Sequence, residues 1–209
     1  MTENSLKALE NLRKTDNMQW YIVPLLIFVI YVYVVEIERQ NWHLVLIGFI
    51  TIFLELIWEM FNALILHFSR YAPLWICPGR SAYLIYVGFN IEIASFFAVA
   101  PFLLIKSLPK DKSKKTFGLS NRYVIPVIWG LICIFVELIL NKAGLLIWEY
   151  YWWSWPNLYL IFIAYSLPWF FIAWAYDNTS LKTKKITAIC SFFAAIICHL
   201  LFVNILKWI

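Results

Sequence analysis

The sequence predicts an all-α protein, a polytopic membrane bundle of about six transmembrane helices carrying an internal two-helix parallel repeat. Three observations predict it. The composition is 63% hydrophobic and 20% aromatic with only 14% charged residues, too apolar for a soluble domain of 209 residues. Apolar runs of about the ~20 residues that a helix needs to cross the hydrocarbon core recur along the chain. Two of those runs contain closely related segments, each with a glutamate in its middle.

Taken in order, residues 1–19 form a tail before the first run. Leu6, Leu9 and Leu12 recur there at helical spacing among Lys7, Arg13 and Lys14, with Ser5 available as an N-cap, which fits a short helix on the membrane surface. No basic region precedes a short apolar core here, so a cleavable signal peptide is not expected and the first span should remain. The six spans are Trp20 to Val35, Trp42 to Phe68, Tyr83 to Ile105, Tyr123 to Ile147, Asn157 to Tyr176 and Ile186 to Ile209, a single integral membrane domain over 1–209. The ~10-residue alternating segments of a transmembrane barrel are absent.

The net charge of +5 does not point to nucleic acid, because the basic residues fall in loops between spans. Arg39, the run "KSLPKDKSKKTFGLSNR" and Lys182, Lys184 and Lys185 follow the first, third and fifth spans. The positive-inside rule therefore makes the loops 106–122 and 177–185 cytoplasmic, against fewer basic residues opposite, where Arg70 and Arg80 sit. Two aromatic connections, "HFSRYAPLWICPGRSAY" and "WEYYWWSWPNLY", lie on the outer side. They read either as a headgroup-level aromatic belt or as a roof over a cavity between the helices. Cys133, Cys190 and Cys198 lie within spans as small buried thiols, with no disulfide or zinc spacing.

The repeat brings "IFLELI" (Ile52 to Ile57) over "IFVELI" (Ile134 to Ile139), and "YLIYVGF" (Tyr83 to Phe89) over "YLIFIAY" (Tyr159 to Tyr165). Residues 42–105 and 123–177 become related helix pairs, with Glu55 in register with Glu137 and Glu59 with Asn141. An even number of spans separates the copies, so they should be parallel, and interfaces between such copies commonly host binding sites.

Glu55, Glu59 and Asn62 share one helical face. A charged residue at mid-membrane costs at least ~2.5 kcal/mol, so Glu55, Glu59, Glu92 and Glu137 ask for a reason. With their amide neighbours Asn62, Asn90 and Asn141 they are expected to converge on one polar pocket. No buried lysine or arginine offers a counter-charge, so desolvation and mutual repulsion favour the neutral acid for some of them. Structural glue between helices is the competing reading. His67 and His199 have no second histidine at ligand spacing, so no metal is expected.

"FNIEIASFF" resembles the P-x-E-E-x-x-F-F-like segment of non-flavin membrane lycopene cyclases, with Glu92 at the first acid and Phe96 and Phe97 as the aromatic pair. "WEMFNALILHFSRY" and "LNKAGLLIWEYYWW", the latter containing Trp148, resemble the family's G-x-W-x-Y-like segments. Asn90 stands in place of proline, Ile93 replaces the second glutamate, and "YSLPWFFIAWAYD" lacks the matching acid. The resemblance, which extends to membrane terpene cyclases, implies an isoprenoid cyclase or isomerase that needs no cofactor. Glu92 or Glu59 would donate a proton to an alkene or epoxide, and Glu55 and Glu137 would polarise the site or accept the returning proton. Trp58, Phe96 and Phe97 would stabilise the cation. Asn62, Asn90, Asn141 and Trp148 complete the expected substrate contacts. The partner is then a membrane lipid or isoprenoid substrate, no nucleic acid is expected, and self-association into a homo-oligomer stays open. Two further classes fit the same acids: a small proton- or cation-coupled transporter or channel, and a non-catalytic lipid-binding subunit whose polar stripe meets a partner helix.

Overall fold

A computed structural model of the chain describes residues 1–16, 18–79 and 81–209; Arg80, counted above among the outer basic residues, lies outside them. Its elements are α1 (Glu3–Asn11), α2 (Ile22–Glu38), α3 (Trp42–Ser69), a hairpin of β1 (Leu84–Tyr86) and β2 (Phe89–Asn90), α4 (Ile91–Ser107), a second hairpin of β3 (Lys115–Thr116) and β4 (Leu119–Ser120), α5 (Asn121–Lys142), α6 (Tyr159–Asn178) and α7 (Leu181–His199), which continues as a wider π-helical stretch through Ile205. Among them α3, α5, α6 and α7 with its extension are long and apolar enough to cross a membrane on their own. The protein is a multi-pass helical membrane bundle.

Helices α2 and α4 have 17 residues each, about 25 Å at 1.5 Å per residue, at the short limit for a span. They nevertheless run between the same two ends as the other four. One end is ionic. The Glu36 carboxylate on α2 accepts from Lys106 Nζ at 2.5 Å, from Arg39 at 3.3 Å and from Asn41 at 2.9 Å. Asp177 pairs with Arg122 at 2.6 Å and Lys112 at 3.4 Å. Buried Lys184 donates to the Tyr176 and Thr179 carbonyls at the end of α6, groups that helix geometry leaves without donors. The three basic connections therefore share one end, as positive-inside placement requires.

The opposite end is aromatic and holds α1. The N-cap of α1 is Thr2, whose hydroxyl accepts from the Ser5 N–H; Ser5 instead is buried and donates to the Tyr71 carbonyl. The expected capping by Ser5 is thus corrected: it was displaced because Ser5 faces the bundle. Leu6 and Leu9 remain exposed on the outer side.

The third span also begins later than expected. Tyr83 to Asn90 form an antiparallel hairpin, and the helix starts only where the Asn90 side chain accepts the Ile93 N–H. "YLIYVGF" is therefore hairpin while "YLIFIAY" is helix, so these two segments are not structural counterparts. "IFLELI" and "IFVELI" both lie inside helices, α3 and α5, which traverse the bundle in the same direction. Residues 143–147 are not helical either; Ile147 exchanges both backbone hydrogen bonds with Ile76 (2.8 and 2.9 Å), tying the two outer connections together. Small residues set the helix spacing. A β-carbon on Gly130 of α5 would meet the Ser166 hydroxyl of α6 at 2.4 Å, and one on Gly48 of α3 would meet the Phe102 ring at 2.5 Å.

Candidate intramembrane cavity

Helices α3 to α6 enclose a cavity of about 700 Å³, within the range of small-molecule sites. From α3 come Glu55, Glu59, Leu54 and Trp58; from α4, Glu92, Phe96 and Phe97; from α5, Cys133, Val136 and Glu137; from α6, Tyr165, Leu167, Trp169 and Phe171. Trp75 and Trp153 reach in from the two outer connections, so at these positions the aromatic residues do roof a cavity. Their rings stack with centroids 6.0 Å apart, and Trp58 lies 6.2 Å from Trp75. Leu54, Trp58, Phe96, Leu167 and Phe171 line the cavity and are also exposed on the bundle surface. Leu54 and Trp58 of α3 and Leu167 and Phe171 of α6 sit in the middle of their helices, with Phe96 on the second turn of α4, so the mouth opens sideways between the helices at the depth of those helix centres.

The four glutamates share this cavity but are held differently. Glu59 accepts a forked hydrogen bond from the Trp75 indole N–H, at 3.0 and 3.2 Å. Glu137 accepts from the Tyr165 hydroxyl at 2.5 Å, with the Trp148 ring beside it but outside hydrogen-bond geometry. Glu92 is anchored at the rim, where one oxygen accepts from Tyr21 and from the Ala82 N–H (3.0 Å) and the other is buried without a partner. The Tyr21 phenol outside the spans is pushed up to about 12, chiefly by burial and then by that hydrogen bond to Glu92. Glu55 makes no hydrogen bond among the described residues, although it interacts electrostatically with Glu59 and Glu137. No lysine, arginine or histidine lines the cavity among the described residues.

The amides go elsewhere. Asn62 accepts from the Leu74 N–H at 2.8 Å and donates to the Trp75 carbonyl at 2.9 Å, latching the outer loop onto α3. Asn141 donates to the Leu146 carbonyl at 3.1 Å, and Asn90 caps α4. Trp148 is buried behind the wall. The four expected substrate contacts Asn62, Asn90, Asn141 and Trp148 therefore do not line the cavity; loops returning over helix ends leave backbone groups that need partners, and the amides supply them. Trp58, Phe96 and Phe97 do line it. His199 shares a 2.7 Å hydrogen bond with the Tyr86 hydroxyl. Sequence reasoning missed Tyr165, Trp75, Trp153 and Trp169. A signal existed for Tyr165, a hydroxyl in mid-span three residues before Pro168, where the missing proline N–H already breaks the helical ladder.

Fold and site together define a polytopic α-helical membrane protein with an acid-bearing lateral cavity. The chain matches the uncharacterized membrane protein family over residues 2–204, and it belongs to that family. It is 36% identical over 209 residues to a protein of Archaeoglobus fulgidus described as "Uncharacterized protein", an alignment covering 100% of this chain and 99% of the relative. No solved structure gives a significant match. These findings correct the likeness to lycopene cyclases, which neither the family nor the relative indicates. The likeness rested on short apolar and aromatic strings, which are cheap in a chain this hydrophobic. Its second acid is absent, and Asn90, in place of the family's proline, serves as a helix cap.

Proposed function

We propose that the protein binds an isoprenoid-like lipid in the lateral cavity and transfers a proton to it from a carboxylic acid, as a cofactor-independent isomerase or cyclase. The observation that carries this reading is the sideways mouth of an aromatic, largely apolar cavity in which Glu55, without a hydrogen bond among the described residues, faces the space a ligand would fill. A carboxyl group in such a wall with no counter-cation is held most cheaply as the neutral acid. A neutral acid in a water-poor site is a competent proton donor to an alkene or epoxide.

The roles expected from the sequence shift accordingly. Glu55 becomes the donor. Glu59 and Glu137, each already accepting a hydrogen bond from Trp75 or Tyr165, suit the return of the proton. Glu92, tied to the Ala82 backbone and to Tyr21, positions the rim rather than donating. Trp58, Trp75, Trp153 and Phe97 offer ring faces to a developing cation. The transporter and assembly-subunit readings find less support, because a mouth among mid-helix apolar side chains serves a lipid-dissolved ligand and the acids lie inside the cavity instead of along an exposed groove.

The test is untargeted lipid mass spectrometry on the purified protein, followed by incubation with polyprenyl substrates in deuterated water. A co-purifying isoprenoid and deuterium incorporated into product by wild type, but not by Glu55→Gln, are expected. Absence of both binding and conversion would sink the proposal.

A further inference from the structure

We infer that the cavity takes up a lipophilic organic cation in exchange for a proton. The inference shares the cavity of the proposed function but not its chemistry, and stands or falls without it.

The titratable groups facing the space are Glu55 and Glu59 on α3, Glu92 on α4, Cys133 and Glu137 on α5 and Tyr165 on α6; no cationic side chain faces it from any of these helices or from the outer connections, among the described residues. Among the described residues Glu55 has no hydrogen bond, while the indole N–H groups of Trp153 and Trp169, which also line the wall, are donors without a partner. Pro168 has no N–H to give the Ala164 carbonyl, the helical acceptor four residues earlier, and both residues line the cavity. The remaining surface is aliphatic and aromatic, and its ring faces, including Trp58, Trp75 and Trp153, have negative quadrupoles that attract a desolvated cation by ~2 kcal/mol or more.

Charge conservation then selects the mode of binding. A bare carboxylate here is uncompensated and costly, and so is a lone cation. If Glu55 gives up its proton as the cation arrives, the net charge of the cavity is unchanged, and the new pair attracts strongly in a low-dielectric space. A hydrophilic cation cannot reach a mouth placed at membrane depth, so the ligand must be soluble in lipid. The space of about 700 Å³ lies within the range of organic-ligand sites.

The probes are tetraphenylphosphonium and its neutral analogue triphenylphosphine oxide, titrated into purified full-length protein while intrinsic tryptophan fluorescence and proton release are recorded. Tetraphenylphosphonium is expected to bind at least tenfold more tightly than the oxide, to release one proton, and to tighten about tenfold for each unit of pH, the slope one exchanged proton gives. Glu55→Gln should lose the proton release and the pH slope, with thermal unfolding unchanged to confirm folding; the wild-type slope tests the idea without any variant. Equal affinity for the two probes, binding without proton release, or a Glu55→Gln protein that still shows the slope would overturn the inference. If tetraphenylphosphonium fails while a polyprenyl lipid binds, this inference falls and the proposed function remains.

Discussion

Glu36 and Glu55 lie on successive helices of one bundle and illustrate two uses of a glutamate near lipid. Glu36, at the ionic end of α2, is 1% exposed, yet Lys106, Arg39 and Asn41 all donate to it. Glu55, in the middle of α3, faces the cavity and receives no hydrogen bond among the described residues. Burial alone does not mark a reactive acid; what separates the two is whether neighbouring side chains have already satisfied the oxygens. The first carboxylate closes a structure, and the second is available to a ligand.

That contrast can be broken most directly at Glu55. Glu55→Gln should lower conversion of a polyprenyl substrate by ~10²- to 10⁴-fold, the usual contribution of a positioned general acid, while the melting temperature in mild detergent stays put. Equal turnover in the two proteins would erase the distinction. The opposite pattern is expected at Glu36, where Glu36→Gln should cost about 2 kcal/mol of stability through loss of charge-assisted hydrogen bonds and leave ligand binding alone; denaturation in detergent measures it, and an unshifted midpoint would show that the ionic end contributes little.

Gly88 lies under the roof that supplies the donor to Glu59. A β-carbon there would meet the Asn62 amide at 2.3 Å and the Trp75 ring at 2.7 Å, so Gly88→Ala should cost about 1.5 kcal/mol and disturb the donor on Glu59. The change should appear in tryptophan fluorescence as well as in the unfolding midpoint. The smallest effect is expected for Tyr21→Phe, about 1 kcal/mol, since Glu92 keeps the Ala82 N–H. A larger loss in turnover than in stability for this variant would move Glu92 from positioning to chemistry.

The sequence reading succeeded where the physics is additive along the chain. Hydrophobic length located α3, α5, α6 and α7, and the charge bias gathered the loops around Arg39, Lys112 and Lys184 at one end. It failed at Tyr83 to Asn90, whose β-branched and aromatic residues read as membrane span; the hairpin depends on cross-strand partners, and the helix start on one Asn90 side chain. It also failed for Asn62 and Asn141, because which backbone groups an amide must satisfy depends on how the following loop folds back. The glutamate-bearing segments singled out in the sequence lie on helices that run in the same direction, and Glu55 and Glu137 line one cavity.

Hydropathy along the chain is enough to establish a multi-pass helical membrane protein with acids in its spans, because transfer from water to hydrocarbon is a sum over neighbouring residues. That those acids share one side-opening cavity, with Trp75 and Tyr165 donating to two of them and Glu55 accepting no hydrogen bond among the described residues, follows from tertiary packing. Hydrogen bonds between Trp75 and Glu59, or Tyr165 and Glu137, join residues on different segments of the chain. Their existence depends on how the helices and loops pack, which no local pattern of letters encodes.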